Sequence, residues 1–436
     1  MSAERRRNGK ERVLRAAFRA WSETYFTNTS LASVAARLGV SKAALYRHFE
    51  NKAALIHAME KSYVSEFLET VVVPLEEWKE ERFSSFVREY FSRLFEFFRR
   101  RPEYYVFFAI HILKVPVLEQ LHVKELVLRH RKLLADRLAS FGYASPEDPP
   151  VVDRYLPFFG IYWLVEVYRI HEEDEGGCST FRGLDLPEEP SERDRAIENA
   201  VRICLGGFVS GEELSEGEME RIERIGWIGT EEMLEPDRIF SAIEEVVAEV
   251  GFSGATVERI AERIGMTKSS LYFYFRNKDD MFGKVVEREK AHFSRLMRSR
   301  LRYLETLPEK LYALILMIAA YAINNPTQLT VLNWLRYRDL GIRAPRKAME
   351  RMRDAFAFLE EARRKGELRA PKDSFLSLAV FPNFLVTREV VDGNLGALPF
   401  QERIAALRRL YRLVERGLAP EEIDQSSQEG WHEDER

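Results

Sequence analysis

Ser41, Lys42, Tyr46, Arg47, His48 and Lys52 gather hydroxyl, ammonium, guanidinium and imidazole donors into one short run, opposed only by Glu50. Donors of these types suit a polyanion. Phosphate oxygens accept from Lys, Tyr and His, and an arginine fork matches guanine O6 and N7. The run is written twice. Ser41-Lys42-Ala43-Ala44-Leu45-Tyr46-Arg47-His48-Phe49-Glu50-Asn51-Lys52 returns as Thr267-Lys268-Ser269-Ser270-Leu271-Tyr272-Phe273-Tyr274-Phe275-Arg276-Asn277-Lys278, each residue 226 positions later and without a gap. Gly39 and Gly265, Ala35 and Ala261, and Arg37 and Arg263 match at the same offset. A repeat this distant means two copies of a domain, not a short-period solenoid.

The donors need elements to aim them. Leu31, Val34, Ala35 and Leu38 keep helical spacing, as do Val257, Ile260, Ala261 and Ile264. Thr29 or Ser30 in the first copy, and Thr256 in the second, stand where an N-cap belongs. Gly39 and Gly265 end these short helices, because glycine takes positive φ without a Cβ penalty. Ser41 and Thr267 then cap a second helix, in which Leu45 and Phe49, or Leu271 and Phe275, face a core. Lys42, Ala43, Ala44 and Arg47 fall elsewhere and face a partner. An amphipathic helix precedes each copy, through Val13, Leu14, Ala17, Phe18 and Trp21, and through Ile239, Ile243, Val246, Val247 and Val250. The order is that of a helix-turn-helix.

These residues resemble the DNA-binding domain of TetR-family transcriptional regulators. The likeness lies in Gly39-Val40-Ser41-Lys42, Leu45-Tyr46, Phe49 and Asn51-Lys52, and in their counterparts, over about fifty residues of each half. Members usually carry Gly before the aromatic that closes the first helix, as in Gly251-Phe252; the first copy has Tyr25-Phe26 and needs another cap. The resemblance implies an all-α chain of two tandem TetR-like units. Each would be an N-terminal helix-turn-helix domain followed by a helical ligand-binding and dimerisation domain. It also implies that Tyr46 and Tyr272, His48 and Tyr274, and Lys52 and Lys278 contact phosphates.

At 436 residues the chain has room for several cores, and its net charge of −4 hides an uneven distribution. Arg5, Arg6, Arg7, Lys10, Arg12, Arg15 and Arg19 make the first head basic, whereas Glu244, Glu245, Glu249, Glu258 and Glu262 offset the cations of the second. Cys178 and Cys204 give neither a disulfide framework nor metal-ligand spacing, so a reducing cytoplasm is expected and no cofactor or metal. No secretory signal is visible, and Leu311–Ile323 is too short for a bilayer and reads as a buried core helix. No Ser/His/Asp or Cys/His arrangement, phosphate loop or metal-spaced cluster points to an enzyme.

The expected order is a first helix-turn-helix domain over 1–55 and a first regulatory domain over 56–210. An acidic, partly helical linker over 211–236 leads to a second helix-turn-helix domain over 237–281. A second regulatory domain over 282–420 and a disordered tail over 421–436 complete the chain. Pro74 should kink or end the long helix that follows Lys52. Two long apolar helices close each half, about 152–171 with 192–209, and 375–391 with 401–418. In the resembled family such helices form a four-helix dimer bundle; here they would either build an internal pseudo-dimer, bring two chains together, or complete each domain's own core.

The functional expectation is a regulator, a repressor by the family's habit, whose two heads read double-stranded DNA at non-identical half-sites. Arg47 donates to guanine, while Phe273 in the same place offers only apolar contact to a thymine methyl or sugar. A small apolar or aromatic effector would meet Tyr104, Phe108, Phe159, Tyr162 and Trp163, with His111 orienting its polar group; the same aromatic stripe also fits a plain core. A rival reading keeps only the first head on DNA and makes the second an interaction or architectural module.

Overall fold

The computed structural model describes residues 11–19, 31–37, 39–79, 82–108, 121–141, 156, 190–210, 213–234, 238–325, 355–369, 382, 385–386, 389–390 and 395–418. The masked positions include Thr29, Ser30, His111, Phe159, Tyr162 and Trp163, and with them the whole expected helix 152–171 apart from Leu156 and most of 375–391. The described chain is helical. Its first half holds α1 (11–19), α2 (Leu31–Arg37), α3 (Lys42–Tyr46), α4 (Lys52–Phe67), α5 (Val73–Glu76), α6 (Phe83–Arg100), α7 (Pro102–Phe107), α8 (Leu121–Ser140) and α9 (Pro190–Gly206). The second holds α10 (Glu216–Gly226), α11 (Arg238–Gly254), α12 (Val257–Ile264), α13 (Lys268–Tyr274), α14 (Lys278–Leu301), α15 (Leu307–Asn324), α16 (Ala357–Arg364) and α17 (Phe400–Arg416).

The helix joining each head to its body differs between the halves. In the first, α4 passes into a π-helical turn, Leu68–Val72, before Pro74. Proline has no N–H to return to the carbonyl a turn back, and its ring crowds that carbonyl. The wider turn relieves the crowding, and the Thr70 carbonyl instead accepts from Arg93 at 3.4 Å. In the second half α14 runs unbroken for 24 residues. Its partner α15 is the apolar stretch expected as core: an 18-residue window of membrane-like hydropathy that is 83% buried inside the protein.

The segment between the halves is built into the second body. Ser215 and Glu218 form a capping box at the start of α10, which lays Met219, Ile222 and Gly226 against α15. Gly226 suits the close approach, since a Cβ would stand 3.2 Å from the Leu316 side chain and 3.3 Å from Ala313 Cα. Its acidic residues find arginines. Glu223 accepts from Arg408 at 2.6 and 3.1 Å and from the Tyr312 hydroxyl at 2.7 Å, Arg221 pairs with Glu309, and Glu232 binds Arg300.

The two bodies meet where α9 and α17 end. Gly207 and Gly417 both take positive φ, 67° and 72°. The Phe208 N–H donates to the Val414 carbonyl at 2.9 Å, and the Leu418 N–H to the Cys204 carbonyl at 2.7 Å. Phe208 and Leu418, like Cys204 and Val414, stand 210 positions apart, so the two bonds join equivalent positions of the two halves reciprocally. Next to them Val209 bridges antiparallel to Leu368. One hydrophobic cluster runs from Val13 in the first head through both bodies to Leu418, while the second head encloses a cluster of its own, from Ala242 to Met281.

Candidate nucleic-acid interface

Each head builds its turn from the same local chemistry. Ser41 Oγ accepts from the Ala44 N–H at 3.1 Å, and Thr267 Oγ1 from the Ser270 N–H at 3.1 Å. Asn51 Oδ1 caps α4 through Ala54 at 2.8 Å; Asn277 Oδ1 caps α14 through Asp280 at the same distance. Thr256 caps α12 through the Arg259 N–H at 3.3 Å. Gly39 (φ 59°) and Gly265 (φ 71°) make the left-handed turns between the two short helices. Below them Leu45 and Phe49, and Leu271 and Phe275, are buried. This core sets the rotation of α3 and α13, so the remaining side chains of both helices point outward.

The outward set differs between heads. In the first, Ser41, Lys42, Ala43, Tyr46 and Arg47 are exposed, and Ala44 and His48 half-buried. Lys42 Nζ lies 5.8 Å from the centre of the Tyr46 ring, and Lys268 Nζ repeats this over Tyr272 at 5.8 Å. A lysine packed on a tyrosine is held as a raised cation rather than a loose one. Lys52 opens α4, where the helix N-terminus favours an anion, and partial burial lowers its pKa. Lys278 opens α14 in the same way; nothing is described of its side chain.

The second head presents aromatics. Phe273 is 87% exposed, and Tyr272 and Tyr274 are about half exposed beside it. Ser269 is exposed, and Ser270 shares a 2.8 Å bond with the Thr267 hydroxyl. Two of its cations are engaged within the head. Lys268 is ion-paired with Glu258, and Arg263 donates to Glu245 at 2.9 Å and to Glu249 at 2.6 Å. These carboxylates were not singled out from sequence as partners of particular cations. Glu245 and Glu249 sit one helical turn apart on α11, which was the available signal.

Of the residues expected to meet an effector, Tyr104 and Phe108 lie in the described structure. The Tyr104 ring is fully buried, edge-on to Phe18 at 4.6 Å between centroids, so it ties the first head to its body. Its hydroxyl donates to Glu66 at 2.7 Å and accepts from Arg101 at 3.0 Å. Phe108 stacks near Tyr63, at 6.4 Å between centroids. His111, Phe159, Tyr162 and Trp163 fall outside the described residues.

Two capped helix-turn-helix modules with cationic or aromatic outer faces define a DNA-binding protein of the helix-turn-helix class. A family model described as bacterial regulatory proteins, tetR family, matches residues 13–59 and again 239–285. The chain thus carries two TetR-family N-terminal domains, consistent with two tandem TetR-like units. It is 25% identical over 140 residues to the fatty acid metabolism regulator protein of Bacillus subtilis, covering 31% of this chain and 72% of that protein. It is 35% identical over 54 residues to the class A tetracycline repressor protein of Escherichia coli, covering 12% of this chain and 25% of that one. Among solved structures, a fatty acid degradation regulator of Bacillus halodurans is 20% identical with a TM-score of 0.34, over 42% of this chain and 96% of its own. A TetR-family regulator of Haemophilus influenzae is 19% identical with a TM-score of 0.32, over 41% and 94%.

Proposed function

We propose that this chain works as a covalent pseudo-dimer whose two heads read two different half-sites of one double-stranded DNA operator, repressing transcription. The observation that carries it is the reciprocal pair of backbone bonds, Phe208 to Val414 and Leu418 to Cys204, at the ends of α9 and α17. One chain thereby supplies an arrangement that otherwise takes two subunits. The outer faces argue for unlike half-sites, since Arg47 suits guanine and Phe273 suits an apolar edge. Joining the heads also raises the local concentration of the second at its half-site once the first is bound.

Release by a small apolar effector belongs to the same proposal. The names of the Bacillus relatives refer to fatty acid metabolism and degradation, which agrees with an aliphatic ligand. Such a ligand must bind one spacing of the heads better than another, otherwise it shifts nothing. The test of the main reading is binding-site selection from random DNA, followed by footprinting and light scattering. A monomer protecting two dissimilar half-sites supports it. A perfect inverted repeat read by two chains overturns it.

A second reading, with only the first head on DNA, draws support from the captive cations Lys268 and Arg263. Its distinguishing result is a footprint one half-site long that Tyr272→Ala leaves unchanged.

A further inference from the structure

Two cations of the second head, Lys268 and Arg263, are occupied by carboxylates of the same head. Lys268 is the first residue of α13 and pairs with Glu258 of α12. Arg263, in the last turn of α12, is chelated by Glu245 and Glu249 of α11 at 2.9 and 2.6 Å. The hydrogen bond from Lys268 draws the Glu258 carboxyl below its usual range, and the same bond raises the Lys268 ammonium. The first head is built otherwise. At the 226-residue offset Glu258 corresponds to Ala32 and Glu245 to Arg19; Glu249 alone keeps an acidic counterpart, Glu23. Lys42 repeats the ring contact of Lys268, and among the described residues no carboxylate pairs with Lys42 or Arg47.

We infer that Glu258, Glu245 and Glu249 set the affinity of the second head by competing with DNA phosphates for Lys268 and Arg263. The head then makes fewer phosphate contacts than its twin and engages DNA as the tethered arm of a chain already anchored by the first. This rests on the DNA-reading role proposed above and adds which residues tune it. Each captive cation is withheld from a phosphate, and each carboxylate also repels the backbone within a Debye length of about 10 Å at 0.1 M salt. Both effects weaken binding. An exposed ion pair contributes little to folding, so removing the carboxylate should leave the head intact.

The experiment uses the full chain and a fluorescein-labelled, mixed-sequence duplex of about 40 base pairs, enough for two half-sites a helical turn or more apart. Affinity is followed by anisotropy across a sodium chloride series, with circular dichroism confirming the fold. Glu258→Gln should bind roughly five- to tenfold more tightly near 0.1 M salt and steepen the log–log salt dependence by about 0.9, one added phosphate contact. Lys268→Ala should cancel the whole gain in the Glu258→Gln background. The double change Glu245→Gln with Glu249→Gln should act likewise through Arg263. Glu262→Gln removes the same charge from the same helix, but pairs with no cation among the described residues, so it should leave the slope unaltered. An unchanged slope for Glu258→Gln on a footprint that still spans two half-sites, or equal steepening by Glu262→Gln, overturns the inference while leaving the DNA-reading role in place. The second head's role itself fails differently: the footprint would then be one half-site long and unchanged by Tyr272→Ala, and the inference would fall with it.

Discussion

Gly207 and Gly417 lie back to back, close enough that a Cβ on Gly417 would stand 2.6 Å from the Gly207 nitrogen. Both need positive φ, and neither has room for a side chain. Their contact is where the first body meets the second, and it lets the backbones of α9 and α17 exchange hydrogen bonds directly.

Replacing either glycine by alanine should therefore cost more than backbone strain alone. A positive φ costs an alanine at least about 1–2 kcal/mol, and Gly417 (φ 72°, ψ −154°) lies outside the left-handed helical well. Forcing a methyl into a filled contact adds about 1–3 kcal/mol. Urea unfolding of Gly207→Ala and Gly417→Ala should show losses of roughly 2–5 kcal/mol. Gly39→Ala is the control: its φ is 59° but nothing lies within 4 Å of the added Cβ, so about 1–2 kcal/mol should be lost. Equal losses at the three sites would mean the crossing is not tight.

On DNA, Arg47→Ala and Lys52→Ala should separate two kinds of contact. Arg47 is expected to read a base, so its loss should relax preference at one position by about 1–3 kcal/mol. Lys52 opens a helix and is expected to meet a phosphate, so its loss should weaken all sequences alike and lower the salt slope by about 0.9. Competition titrations with single-base operator variants check both.

Glu223 joins the inter-unit helix α10 to α15 and α17 by accepting from Tyr312 and Arg408 together. Glu223→Ala would leave the Tyr312 hydroxyl without its acceptor and Arg408 with only the exposed Glu216. Leaving the hydroxyl unpaired and the guanidinium with one carboxylate costs about 1–3 kcal/mol, which calorimetry should register as a fall in Tm. A loss below about 1 kcal/mol would show α10 to be an ornament on the second body.

His130 gives the first body a pH response. Its imidazole is buried against Phe67 and Tyr90, and burial pushes its pKa down to about 4 from an ordinary 6.5. The folded chain keeps it neutral, whereas the unfolded chain protonates it near pH 6.5. Stability from this group is thus full above about pH 6.5 and lost as pH falls towards 4, by up to roughly 3 kcal/mol. His130→Phe should flatten the pH dependence of urea midpoints over that window. An unchanged profile would place the acid sensitivity elsewhere.

The heads were legible from residues because capping and burial there are local. Ser41, Thr267, Asn51 and Asn277 each bond an N–H three residues on, and a period of hydrophobic positions suffices to orient α3 and α13. Pro74 was legible for the same reason, although the π-helical turn upstream of it was not. What escaped was long-range. Glu223 and Arg408 are 185 residues apart, and charge type alone cannot pair them. The Gly207–Gly417 contact was hidden by register: the heads repeat at 226 residues, but the last helices repeat at 210. The second unit is 16 residues shorter between those points, so an alignment tuned to the heads steps past the pair.

The crossing at Gly207 and Gly417 joins parts of a single polypeptide, so no concentration enters its equilibrium. Dilution that would split a two-chain assembly leaves this junction closed. A cell holding only a few copies of the protein would still hold each of them whole.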